Sequence, residues 1–169
     1  MPQQDSITQH YNVLFLCTGN SARSIMAEAI LNGRGHPGFT AYSAGSMPTG
    51  VVRPEALKQL ELANLPTEGL RSKSWEEFAK PDAAQMNFVF TVCDNAAKEV
   101  CPIWPGKPIT AHWGVADPAA VSGPPEVVER AFREAFVALG RRIDLFLSLS
   151  VAGLDALAMK KEVERIGQQ

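Results

Sequence analysis

Cys17 and Arg23 stand with five residues between them in the stretch VLFLCTGNSARSIMAE, Val13 to Glu28. An apolar run leads into the cysteine, a loop of small and polar residues follows, and a helical pattern begins at once. A cysteine so placed faces the first-turn N–H groups of a helix, where anions bind. The same positive field favours thiolate over thiol, and with an arginine beside it a cysteine pKa falls from about 8.5 into the range of about 3.5 to 7.5. Cys17 is therefore expected to be a nucleophile at neutral pH. Arg23 offers a planar fork of donors that grips two oxygens of a tetrahedral oxyanion, which a lysine does not. The loop Thr18, Gly19, Asn20, Ser21, Ala22, Arg23, Ser24 supplies the surrounding amides, and Gly19 and Asn20 tolerate the left-handed backbone such a loop requires. Two more thiols, Cys93 and Cys101, lie far along the chain.

These residues need elements to position them. Tyr11–Leu16 is a short apolar run without clean alternation, as in a strand buried on both faces of a parallel sheet. Ser24–Asn32 reads as the helix that follows, with Ile25, Met26, Ala29 and Ile30 on its apolar face and Gly33 as its stop. Phe39–Ala44 reads as a second strand, and Pro54 opens a helix to about Ala63 in which Leu57, Leu60 and Leu62 face the core. Ser74 and Glu77 have the spacing of a capping box before a short helix ending near Pro81. Asn87–Val92 is a third strand, ending at Cys93, and Pro108–His112 a fourth. The proline-rich loop from Cys101 to Pro118 is of the kind that covers a site. Pro124–Leu149 carries Val128, Phe132, Phe136, Leu139, Ile143 and Phe146 at three- and four-residue steps, a core stripe, and Leu154–Ile166 is a last amphipathic helix. Alternating strands and helices imply an α/β fold with a parallel sheet, whose ligands bind beyond the carboxyl ends of the strands. Cys17 and Cys93 lie at two such ends.

Composition bounds the function. The chain has 169 residues, 46% of them hydrophobic and 20% charged, enough for one domain over 11–169 behind a loose polar tail at 1–10. A net charge of -2 gives no general attraction to nucleic acid or anionic lipid. No apolar stretch approaches a membrane span of about eighteen residues, and the first ten residues lack the pattern of a secretory signal, so a cytoplasmic location is expected; the oligomeric state is open, with monomer the default. Three cysteines in this setting point to reduced thiols or to transient, catalytic disulfides.

CTGNSARS followed by MAE resembles the anion loop of the low-molecular-weight tyrosine phosphatases and of the arsenate reductases that share their fold. That resemblance covers nearly the whole chain and implies a four-stranded parallel sheet flanked by helices. It implies Cys17 as nucleophile, Arg23 as the oxyanion holder, Asn20 as the residue keeping the loop tense and Ser24 as a support for the thiolate. It makes Asp117, followed by Pro118, the general acid that protonates a departing oxygen. A phosphatase needs one thiol, whereas reduction of arsenate to arsenite takes two electrons and leaves a disulfide. Cys17, Cys93 and Cys101 match the three cysteines of the thioredoxin-coupled arsenate reductases. The resemblance thus implies arsenic detoxification by a relay in which Cys93 attacks Cys17, releasing arsenite, and Cys101 resolves the disulfide. Thioredoxin or another thiol reductant would reset it. Two departures are visible: Ala22 stands where the family often has another cysteine, and the last two cysteines are spaced slightly wider. The family's loop sometimes binds potassium, which here implies an ion near Asn20, Glu28 and Ser43; no tightly bound cofactor is otherwise expected.

The rival reading is a tyrosine or small-molecule phosphatase using Cys17, Arg23 and Asp117. Against a phosphotyrosine slot, Asp117-Pro118 is followed by Ala119-Ala120 rather than by tyrosines. A zinc site from Cys93, Cys101 and His112 lacks the close ligand pairs of zinc ribbons, and Trp104 and Trp113 read as packing residues. A catalytically silent anion-binding or redox-sensing protein is opposed by the presence of Cys17, Arg23 and Asp117 together. Finally, Asp94–Glu99 reads as a helical turn, and eight helical steps set Cys93 and Cys101 about 12 Å apart. A disulfide tolerates a Cα separation of only about 4.4 to 6.8 Å, so a segment that is helical when reduced must unwind when oxidised.

Overall fold

A computed structural model of the chain describes residues 10–99, 102, 104–149 and 151–169. Strands β1 (Tyr11–Leu16), β2 (Phe39–Ala44), β3 (Phe88–Thr91) and β4 (Ile109–His112) form one sheet in the order β2-β1-β3-β4. All pairs are parallel, with Phe15 opposite Ser43 on one side and Phe90 on the other. The apolar run of β1 is explained by its central place. Val13 and Phe15 point into the larger core and Leu14 and Leu16 into a smaller one, and all four are fully buried.

The larger core lies under helices α1 (Arg23–Gly33), α2 (Pro54–Leu62) and α4 (Pro125–Leu147), while α5 (Ala156–Gly167) packs against β4. The stripe on α4 faces this core: Phe132, Leu139, Ile143 and Phe146 are fully buried, and Val128 and Phe136 pack at its edge. Phe146 is met by the rings of Phe39, Phe88, Phe90 and Trp113, and Trp113 stacks on Phe90 at 4.0 Å. Trp104 sits in the smaller core beside Trp75. Both tryptophans are thus packing residues, as expected.

Three local expectations are corrected. Leu62 does not face the core; it is 64% exposed while Leu60 is fully buried, because two helical steps turn a side chain about 200° round the axis. The capping box does not form. Ser74 accepts from the N–H of Glu76, Glu77 is drawn away by two hydrogen bonds from Arg71, and the element is a four-residue 3-10 turn, Trp75–Phe78. The left-handed residue of the anion loop is Asn20, at φ 45°, and not Gly19.

Candidate active site

The loop from Cys17 to Ser24 joins β1 to α1, and its shape follows from where its carbonyls go. Thr18 O accepts from Met47 N, Gly19 O from Thr49 N and Ser72 Oγ, and Ser21 O from Arg53 N. With the carbonyls taken by these donors, the Thr18 and Gly19 N–H groups turn to the thiols, at Cys93 and Cys17 respectively. The N-cap of α1 is Ala22, which has no side-chain acceptor, so the first-turn amides are uncapped from within the helix. Gly45, at the end of β2, permits the close approach: a Cβ there would lie 2.4 Å from Thr18 O and 2.5 Å from Cys17 O.

Asn20 is the hub beneath the loop. Its amide group donates to Ser24 Oγ at 2.8 Å and to Ser43 Oγ at 3.0 Å, and its Oδ1 accepts from the N–H of Lys73 at 2.8 Å. Ser43 in turn donates to Glu28 Oε1 at 2.6 Å, and Lys73 Nζ lies 3.8 Å from the same oxygen. Asn20, Ser24 and Ser43 are fully buried. This network offsets the cost of a left-handed, non-glycine residue by satisfying every polar end of its side chain.

Cys93 ends β3 and precedes the short helix α3 (Asp94–Lys98). Parallel strands bring it to the same sheet edge as Cys17, close enough that each thiol shifts the ionisation of the other. Both cysteines are free thiols and buried. Two thiols this close hold one negative charge rather than two. That charge falls on Cys93, whose pKa is lowered to about 5, first by the Cys17 S–H that donates to it, against the opposing effect of burial, and then by the N–H groups of Ala96 and Thr18. Thr18 N donates to Cys93 Sγ at 3.3 Å. Cys17 keeps its proton: the hydrogen bond to Cys93 and burial push its thiol up, outweighing Arg23 and the Gly19 amide. The expectation of a lowered Cys17 pKa considered the helix and Arg23 but not a second thiol.

Arg23 donates through Nη1 to Val115 O at 2.8 Å, and its Nη2 is 3.5 Å from Asp117 Oδ1. Asp117 also caps the turn at Pro118–Ala120 by accepting from Ala119 N. A cavity of about 420 Å³ opens here, lined by Arg23, Cys93, Asp94, Gly114 and Val115 through Asp117. The structure therefore brings Cys17, Arg23, Cys93 and Asp117 to one edge of the sheet, while Cys101 lies outside the described residues.

Three further participants are placed here by the fold. Glu99 binds α3 to the anion loop, accepting from Thr18 Oγ1 at 3.3 Å and from Ser46 Oγ at 2.6 Å. Lys73 lies in a polar loop that named no partner. His112, considered above for zinc, instead bonds Thr91 Oγ1 at 2.7 Å and Asp94 Oδ1 at 2.8 Å, and holds the Asp94 carboxyl below the usual carboxylate range.

The low molecular weight phosphotyrosine protein phosphatase family matches residues 12–162. An arsenate reductase from Halalkalibacterium halodurans is 35% identical over 136 residues, spanning 79% of this chain and 93% of that protein. Among solved structures, an arsenate reductase in its oxidized state superimposes with a TM-score of 0.63 at 25% identity, over 79% of this chain and 93% of that one. A low molecular weight protein tyrosine phosphatase from T. tengcongensis gives a TM-score of 0.61 at 26% identity, over 79% of this chain and 95% of that one. Among the described residues no helix is long and apolar enough to cross a membrane.

Proposed function

The chain belongs to the low molecular weight phosphotyrosine protein phosphatase family, and from that premise we propose that it is an arsenate reductase working by a thiol relay. The observation that carries this reading is the placement of Cys93 beside Cys17 at one sheet edge, where Thr18, the residue after Cys17, donates its N–H to Cys93 Sγ at 3.3 Å. Hydrolysis has no use for a second thiol against the nucleophile, whereas a two-electron reduction requires one. The 35% identity to an arsenate reductase supports the same choice.

The chemistry follows from the positions. Arsenate binds to the loop amides and to Arg23, drawing the guanidinium from Val115 O. The Cys17 proton passes to Cys93 within their hydrogen bond, and the Cys17 thiolate attacks arsenic. One oxygen leaves as water, with Asp117 at the cavity rim supplying a proton. Cys93, again deprotonated by transfer to solvent, attacks Cys17 Sγ. A sulfur-sulfur bond forms, the sulfur-arsenic bond breaks, and its electron pair stays on arsenic, which departs as arsenite. Cys101 thiolate then attacks Cys93, freeing Cys17 and leaving a disulfide between Cys93 and Cys101. A dithiol protein of the thioredoxin type reduces that disulfide and returns two thiols. Such a cycle belongs in a reducing compartment, as the cytoplasm is.

A single assay separates this from the phosphatase reading. Protein supplied with thioredoxin, its reductase and NADPH should consume NADPH only when arsenate is present, and should hydrolyse an aryl phosphate slowly or not at all. Rapid aryl phosphate hydrolysis without arsenate turnover would reverse the assignment.

A further inference from the structure

Beneath the anion loop, four residues close a ring. Lys73 N donates to Asn20 Oδ1, Asn20 Nδ2 donates to Ser43 Oγ, Ser43 Oγ donates to Glu28 Oε1, and that oxygen faces Lys73 Nζ at 3.8 Å. The lysine is fixed at several points. Its carbonyl accepts from Gly45 N at 2.9 Å, and its ammonium donates to Arg71 O at 2.9 Å. Its side chain is only 7% exposed and that of Glu28 15%. Burial pushes the Glu28 carboxyl up and the Lys73 ammonium down, and each opposes the other's shift through its charge. Two charges in such surroundings persist when they are paired.

The resemblance of the loop to its family implies potassium at Asn20, Glu28 and Ser43, and the donor set here does not fit that ion. The carboxylate oxygen that a cation would neutralise already faces an ammonium. Asn20 directs its amide N–H groups, not its oxygen, at Ser43 and Ser24; the assignment is fixed because Lys73 N–H can only donate to Oδ1. A second positive charge between Lys73 and Glu28 would be repelled by the first.

We propose that Lys73 is the chain's own cation at this place: its ammonium holds Glu28, and through Ser43 and Asn20 the anion loop, so that oxyanion binding at Cys17 and Arg23 is independent of potassium. Lys73 is a positioning residue, about one ring of hydrogen bonds removed from the anion. The inference concerns any tetrahedral oxyanion, so its test uses inorganic phosphate and stands apart from the arsenate reading.

The full-length protein is titrated calorimetrically with phosphate at constant ionic strength in potassium, sodium or choline chloride, and its thermal midpoint is recorded in each salt. Wild type should give one affinity and one midpoint in all three. Lys73→Gln should bind phosphate about tenfold more weakly in choline chloride, within the usual range for coupling between two sites, and potassium should restore part of both affinity and midpoint. A potassium-specific gain in wild type overturns the proposal, as does a Lys73→Gln protein that matches wild type or ignores potassium. If Lys73→Gln does not fold, Glu28→Gln/Lys73→Gln carries the test. With both charges gone it should bind more weakly than wild type and equally in all three salts; wild-type affinity or a potassium response there overturns the proposal.

Discussion

Replacing either of the paired thiols should move the survivor in opposite directions. In the resting protein Cys17 donates to the Cys93 thiolate, so the pair loses its first proton as pH rises through about 5, well below the ordinary 9.0 of a cysteine. The second proton is held first by its interaction with Cys93 and by burial, and repulsion between the two charges adds to them. Two unit charges about 4 Å apart in partly buried surroundings repel by about 4 kcal/mol, about a thousandfold against the second ionisation. Cys17→Ala removes the S–H that stabilises the Cys93 thiolate, so the Cys93 pKa should rise from about 5, although the amides of Ala96 and Thr18 still favour its charge. Cys93→Ala removes what holds the Cys17 proton and leaves Arg23 and the Gly19 amide favouring the thiolate, so Cys17 should ionise at lower pH than in the parent. The assay is ultraviolet thiolate absorbance against pH, with iodoacetamide labelling rates as a second reading. Both are made in a Cys101→Ser background so that only the pair reports. The reasoning is refuted if Cys17 titrates at the same pH or higher once Cys93 is gone, or if both thiols of the parent ionise together near 9.

Other outcomes follow from single contacts. Asp94 to Lys98 should exchange amide hydrogens faster once Cys93 and Cys101 are oxidised to a disulfide, because α3 is helical with Cys93 reduced; equal protection in both redox states would sink this. Arg23→Lys keeps the charge but loses the planar fork, and should weaken arsenate binding by about 2 kcal/mol, about thirtyfold in KM. An unchanged KM would remove Arg23 from the site. Gly45→Ala would drive a methyl group into Thr18 O and Cys17 O, so it should cost about 1–3 kcal/mol and lower the thermal midpoint while weakening phosphate binding. A midpoint equal to wild type would show that the loop yields more readily than its hydrogen bonds suggest.

What could be read in advance was what is local. The β1 run, the loop and the start of α1 are contiguous, so composition and turn residues point to them together, and β1 and β2 have the expected bounds. The stripe of α4 repeats over enough turns to fix its buried face, whereas α2 has about two turns, too few to tell which side Leu62 takes. Lys73 could not be seen, since Asn20, Ser43 and Glu28 reach it only through the fold. The proton of Cys17 is set in the same way, by residues that only the fold brings near. Its neighbours in sequence lower its pKa, and a thiol 76 positions away raises it further.

The relay itself is tested most directly by stopping it after one step. A Cys101→Ser variant, reduced, freed of reductant and given excess arsenate, should release one arsenite per protein and no more. Peptide mass mapping should then find a disulfide between Cys17 and Cys93. Continued arsenite release, or a stoichiometric arsenite yield with both thiols still free, would contradict the account.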